Sequence, residues 1–175
     1  MLESRLKGII RNIPDYPKPG IAFKDITPIL SEPSIVRQIT AYFKMQLKGT
    51  RIDAIACVES RGFWFGTILA YEMNLPIIPI RKKGKLPYKT VSMDYDLEYG
   101  SATIEAHEDS IGSGQNILIH DDLLATGGTA AATAELIKQS DGNVAGFSFL
   151  VNLNFLEGEI KLKPFTPNIL SIVNY

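Results

Sequence analysis

The sequence predicts an α/β protein with a mainly parallel sheet flanked by helices, and three observations carry that prediction. From residue 52 onward, apolar runs rich in β-branched residues alternate with helical patterns, which is the pattern of successive βαβ units. The stretch GGTAAATAELIKQ opens on small residues directly after an apolar run, as a strand, a tight loop and a helix N-terminus do. The length of 175 residues suits one domain with room for a sheet and several helices.

In chain order, two helical patterns at about 2–11 and 34–48 bracket the Pro-rich turn IPDYPKPGIAFKDITP. IDAIACV (52–58) reads as a buried strand, FWFGTILAYEM (63–73) as the helix after it, and PIIPI (76–80) as a short strand. Lys82 to Gly100 shows no clear period. Unstructured connections longer than about 12–15 residues are uncommon in compact domains and often serve as lids, so a lid is expected here; the alternative is an extended, twisted hairpin built from YKTVSMDY and LEYGSATIEA. SATIEAH (101–107) alternates as a strand with one wet face, which leaves His107 solvated. NILIH (116–120) is a strand, GGTAAATAELIKQ (127–139) a helix of good formers, NVAGFSFLV (143–151) a core strand and NILSIVN (168–174) an edge strand.

Composition excludes several classes. With 45% hydrophobic and 21% charged residues the chain can bury a core, and a disordered or fibrous protein is ruled out. The opening MLESRLKGIIRN mixes charges into its apolar positions, unlike a secretory signal or a membrane span, so a cytoplasmic protein is expected. A net charge of −1 supplies no general pull toward nucleic acid. The single Cys57 cannot form an internal disulfide and reads as a small buried hydrophobe; a catalytic thiol is the alternative, with no His nearby in sequence to activate it.

The chemistry concentrates in ILIHDDLLATGGTA. A helix N-terminus after a strand offers free N–H groups and a favourable dipole to an anion. Gly127 and Gly128 permit backbone angles closed to other residues, and Thr126 and Thr129 add hydroxyl donors. No Gly-Lys pair is followed by Ser or Thr, and no G-x-G-x-x-G occurs, so two common nucleotide motifs drop out. Asp121 and Asp122 immediately precede this loop and would repel a bare phosphate. A ligand that carries vicinal sugar hydroxyls beside its phosphate suits both halves; a lone acidic pair would read as a turn cap or ion-pair partner. His120, at a strand end, reads as a packing or supporting residue.

ILIHDDLLATGGTA resembles the phosphoribosyl-pyrophosphate motif of the type I phosphoribosyltransferase family, and DYPKPGIAFKDITPIL, ESRGFWFG, IRKKGKLP and LEYG extend the likeness to its adenine-using members over most of the chain. The resemblance implies a parallel sheet flanked by helices, an N-terminal hood at about 12–30 and a flexible lid at about 82–100. It implies that Ala125, Thr126, Gly127, Gly128 and Thr129 hold the 5-phosphate, and that Asp121 and Asp122 hold the ribose hydroxyls and help place Mg²⁺. Glu59, Ser60, Arg61 and Gly62 would form the turn that cradles pyrophosphate, with Arg81, Lys82 and Lys85 from the basic run RKKGKLP, which alone would be a solvated turn. Arg61 alone divides evenly between surface and site.

The resemblance further assigns adenine to the hood, through backbone groups near Ala22, stacking on Phe23, and contact with Lys24 and Arg61; Phe23 by itself reads as core. Base–aromatic stacking is worth about 1–3 kcal/mol. Glu98, with Tyr99 beside it, would serve as the lid's acid–base group; alone it is a surface hairpin residue. A homodimer and the substrates adenine and phosphoribosyl pyrophosphate complete the expectation, with no nucleic acid or membrane partner. The chain departs from the family pattern at Lys24, Trp64, Tyr88 and His120. Two rivals differ in class: a transferase for another purine, and a noncatalytic sensor of phosphoribosyl pyrophosphate, against which the lack of a helix-turn-helix or basic extension argues.

Overall fold

The computed structural model describes residues 1–96 and 100–175; Glu98 and Tyr99 lie outside the described residues. The chain opens with helix α1 (Leu2–Ile9), then strands β1 (Arg11–Ile13) and β2 (Phe23–Asp25), the short helix α2 (Thr27–Leu30) and helix α3 (Pro33–Gln46). The βα repeats follow: β3 (Ala54–Val58), α4 (Gly62–Met73), β4 (Ile77–Lys82), β5 (Thr90–Asp96), β6 (Ser101–His107), β7 (Asn116–Leu124), α5 (Gly128–Gln139), β8 (Asn143–Asn152), α6 (Gly158–Leu162) and β9 (Ile169–Asn174).

Seven strands make one sheet in the order β5-β6-β4-β3-β7-β8-β9. The five from β4 to β9 pair in parallel, and β5 and β6 add an antiparallel edge. Both faces are covered, which is why the parallel strands are apolar along their whole length. In β3, Ala54, Ala56 and Val58 face the layer that holds α5, whereas Ile55 and Cys57 face Phe43 of α3 and Phe65 of α4. Each fully buried Leu, Ile or Phe contributes about 1.5–3 kcal/mol, so two such layers make a stiff platform for whatever the strand ends carry. Among the described residues no helix is long and apolar enough to cross a membrane.

Strand β7 runs four residues past its predicted end at His120. Asp is a poor strand former, but pairing of Asp121 with Phe149 and of Leu123 with Val151 on β8 carries the ladder through the acidic pair. The period-free segment resolves in the same way: Thr90 to Asp96 pair with His107 to Ser101 as a hairpin. The wet face expected for β6 is also corrected. Glu105 is buried because the Lys82–Lys85 turn folds over it and the Gly84 N–H donates to its carboxylate at 2.9 Å. His107 is half-buried against Tyr88, its Nε2 shielded from solvent, rather than solvated. Strand β9 closes the other edge of the sheet, as expected.

Candidate active site

The carboxyl ends of β3, β4 and β7 converge with the N-termini of α4 and α5, the place where open α/β sheets bind ligands. A cavity of about 350 Å³ lies there, lined by Glu59, Lys82, Tyr95, Asp121 and Thr129 over a floor of Val58, Ile80 and Ile104.

Strand alternation sends the two acids to different neighbours. Asp121 lines the cavity, whereas Asp122 meets Arg61, its Oδ2 3.0 Å from the guanidinium Nε. The Asp122 N–H donates to Asp121 Oδ1 at 2.8 Å. Burial, and then the adjacent Asp122 charge, push the Asp121 carboxyl well above the usual carboxylate range. Burial also raises Asp122, with Arg61 working against it. Two carboxylates poised this way favour a ligand that donates hydrogen bonds or brings positive charge.

Behind the acids the chain turns at Gly127, whose φ of 77° is left-handed, and α5 begins at Gly128. Its first amides have no partner within the helix, and Thr129 beside them lines the cavity. The turn is braced from behind by α6. A Cβ on Gly127 would sit 2.6 Å from the Gly158 carbonyl oxygen, and one on Gly158 would collide with the carbonyl oxygen of Ala125. Gly158 was not foreseen; the only local trace of it in the sequence is a lone Gly between two acids.

Glu59 to Gly62 form the second turn, with a cis peptide between Glu59 and Ser60. Gly62 opens α4 directly against the acidic pair, and a Cβ there would lie 2.9 Å from Asp121 Oδ1. The Glu59 carboxylate accepts from Arg81 Nε at 3.0 Å and from the Lys82 N–H at 3.1 Å. Burial works to raise the Glu59 pKa, and these bonds outweigh it, leaving it below the usual range. Arg81 also donates to the Lys85 carbonyl at 3.0 Å, so it fixes the turn whose Lys82, Lys83 and Lys85 stand exposed. Of these cations, Lys82 lines the cavity.

The segment expected to form a hood holds a two-stranded ribbon in which Ile13 pairs with Phe23 and Asn12 with Lys24. Phe23 is half-buried, edge-on to Tyr16 at 5.2 Å, and Arg61 lies over its ring at 5.0 Å. Arg61 thus links Phe23 of the hood to Asp122 of the sheet. Asp25, on the same face of β2, accepts from the Thr27 N–H and hydroxyl at 2.9 and 2.7 Å, and these bonds hold its carboxyl below the usual range. Lys24 falls on the opposite face. Its ammonium donates to Asn12 at 3.1 Å and lies 3.9 Å over the Tyr175 ring, so its side chain is not brought to Phe23 and Arg61. Ala22 is exposed at the entry to β2.

Beneath the site, His120 is fully buried, edge-on to Phe43 at 5.7 Å, with Nδ1 2.9 Å from Ser148 Oγ. Burial pushes its pKa down to about 4, so it is neutral at pH 7 and supports the floor rather than moving protons. Cys57 lies in the same layer, and burial raises its thiol to about 12. It is inert packing, as its sequence context indicated.

A model of the phosphoribosyl transferase domain matches residues 25–161. The chain is 52% identical over 175 residues to an adenine phosphoribosyltransferase of Cytophaga hutchinsonii, covering all of this chain and 97% of that one. Among solved structures it resembles the adenine phosphoribosyltransferase of Thermoanaerobacter pseudethanolicus, with a TM-score of 0.95, 43% identity and full coverage of both chains. It also resembles the Saccharomyces cerevisiae enzyme solved with an imino-altritol bisphosphate and adenine, with a TM-score of 0.92, 36% identity and 98% of each chain covered. Matched by the domain model over most of its length and by the Cytophaga relative over all of it, the chain belongs to the phosphoribosyltransferase family, among the adenine phosphoribosyltransferases.

Proposed function

We propose that this protein transfers the 5-phosphoribosyl group of phosphoribosyl pyrophosphate to adenine, giving AMP and pyrophosphate, as a single-domain purine-salvage enzyme of the cytoplasm that works as a homodimer. The observation that carries the reading is the convergence on one cavity of Asp121, Thr129 at the start of α5 and Lys82 of the basic turn, with Arg61 joining the adjacent Asp122 to the Phe23 ring. The N9–C1 bond forms as the bond from C1 to the pyrophosphate oxygen breaks, with inversion.

Charge develops on the leaving pyrophosphate, so preorganised donors count most; each is worth about 3–4 kcal/mol when removed. Arg61, with Ser60 and Gly62, supplies them from one turn, which the Glu59 carboxylate braces by accepting from Arg81 and Lys82, and Arg81, Lys82 and Lys85 supply them from the other. Asp121 and Asp122 take the ribose hydroxyls while Ala125 to Thr129 take the 5-phosphate. Adenine stacks on Phe23, with the Ala22 backbone at its edge; Lys24 contributes its backbone, since its side chain is held by Asn12.

Mg²⁺ fits this donor set, because it is held by one or two carboxylates together with waters and substrate phosphates, and a cation relieves the buried Asp121 and Asp122 charges. These two residues would hold it through water, and when bound it neutralises charge on the pyrophosphate.

The N9 proton needs an acceptor as the bond forms, and Glu98, next to Tyr99 in the lid, takes that role in the proposal. Closure of the 82–100 segment keeps water from the activated sugar. Glu98→Ala is expected to lower kcat by about 10²–10⁴-fold with the affinity for phosphoribosyl pyrophosphate nearly intact. Unchanged turnover in steady-state assays would remove Glu98 from the mechanism.

The direct test is chromatography of products after incubation with phosphoribosyl pyrophosphate and Mg²⁺, with adenine, hypoxanthine or guanine supplied separately. AMP from adenine alone is expected. Product from another base would overturn the hood assignment, and tight ligand binding without product would make the protein a sensor.

A further inference from the structure

Strand β5 places a tyrosine that the reading above does not use. Val91, Met93 and Tyr95 alternate toward the α5 layer and pack against its core, while Asp94 points the other way and accepts from the Thr103 hydroxyl. Tyr95 is the last inward position before residue 97. Its cross-strand partner is Ala102, small enough to leave the ring free to lean across the cavity. The ring reaches the phosphate loop: Thr129 Oγ1 and the Tyr95 hydroxyl are hydrogen-bonded at 3.2 Å. Strand β5 lies directly against the start of α5: a Cβ at Gly128 would make ordinary van der Waals contact with Tyr95 Cδ2 at 3.7 Å and the Asp96 carbonyl oxygen at 3.5 Å.

Either hydroxyl can donate in this bond, which uses one of the two hydroxyl protons and leaves the other without a partner among the described residues. A phosphate seated at the start of α5 offers that proton charged acceptor oxygens beside the Thr129 hydroxyl. We propose that Tyr95 is a positioning residue for the 5-phosphate: it donates to the phosphate from the hairpin side, so that phosphate occupancy and hairpin placement are read together. Hydrogen bonds to charged acceptors are the strong ones. The hairpin therefore sits down more firmly on a loaded site than on an empty one. This rests on the assignment of the 125–129 loop to the 5-phosphate.

The test is calorimetric titration of the full-length wild type and Tyr95→Phe, which keeps the ring and its packing, with ribose 5-phosphate and, separately, with pyrophosphate and Mg²⁺. Tyr95→Phe is expected to bind ribose 5-phosphate about ten- to a hundredfold more weakly, and pyrophosphate within about twofold of wild type. Equal loss for both ligands would reduce Tyr95 to hairpin packing and overturn the proposal. Unchanged ribose 5-phosphate affinity, with wild type binding normally, would overturn it while leaving the loop assignment standing. Failure of wild type to bind ribose 5-phosphate at all would overturn both.

Discussion

Asp121→Asn combined with Asp122→Asn is expected to weaken ribose 5-phosphate binding by at least about a hundredfold and, at neutral pH, to make the ligand-free protein more stable. The first effect follows from the hydroxyl donors of the sugar: hydrogen bonds to a charged group are worth about 1.5–3 kcal/mol each, and two are lost. The second follows from the state of the acids. Both carboxyls are pushed up, Asp121 by burial and by the Asp122 charge, Asp122 by burial against the pull of Arg61. A carboxyl raised in the folded state favours folding while protonated. That contribution is complete below the ordinary Asp value of 3.8 and is lost as pH climbs through the folded-state pKa. Asp25 and Asp53 are shifted down and tilt the same curve the other way, but they are present in both proteins and cancel in the difference. Arg61, about a third exposed, remains solvated without its partner. Thermal melts from pH 4 to 7 with a chelator present should show the variant's advantage widening with pH. Unaltered ribose 5-phosphate affinity would sink the sugar assignment, and a stability difference flat in pH would sink the electrostatic account.

What was legible in the sequence was what local chemistry decides. The alternation of IDAIACV with FWFGTILAYEM and the glycines of ATGGT carry their own period and turn preference, and β3, α4 and α5 formed within a few residues of their expected bounds. What was missed was decided by partners distant in sequence. Asp121 and Asp122 lie inside a strand because β8 pairs with them, which no propensity of Asp indicates. Glu105 and His107 are covered because Gly84 and Tyr88 fold onto them. Tyr95 sits in a stretch with no clear period of its own; its inward facing is set by register with β6. Arg61 was undecided from sequence alone, and its place became definite through Asp122 and Phe23, 61 and 38 residues away in the chain. Glu98 and Tyr99 lie outside the described residues, so their assignment rests on resemblance.

Gly158→Ala is expected to destabilise the fold by about 1–3 kcal/mol, the usual cost of overpacking, and to lower kcat/KM by about a hundredfold, the scale of a 1 Å misplacement at a reacting site. The added methyl would collide with the Ala125 carbonyl oxygen, and it would stand 3.0 Å from Leu124 Cδ1 and 3.1 Å from the Gly127 amide nitrogen. Two of those three neighbours are backbone of the loop itself, so relief requires moving the loop or α6. Gly127 cannot yield easily, because its own Cα faces the Gly158 carbonyl with no room for a side chain and its φ of 77° is one that L residues rarely adopt. Gly8→Ala supplies the contrast. It lies in α1 with open space around its Cα, so the same chemical change there should stabilise the helix by about 0.5–1 kcal/mol. Urea midpoints of the two variants separate crowding from any general effect of Gly replacement, and ribose 5-phosphate titration reports on the loop. If Gly158→Ala loses stability yet binds ribose 5-phosphate as wild type does, the strain has been taken up by α6 moving away, and the loop keeps its shape without that support. If stability and affinity fall together, the close approach of two glycines is what holds the 125–129 loop amides in place.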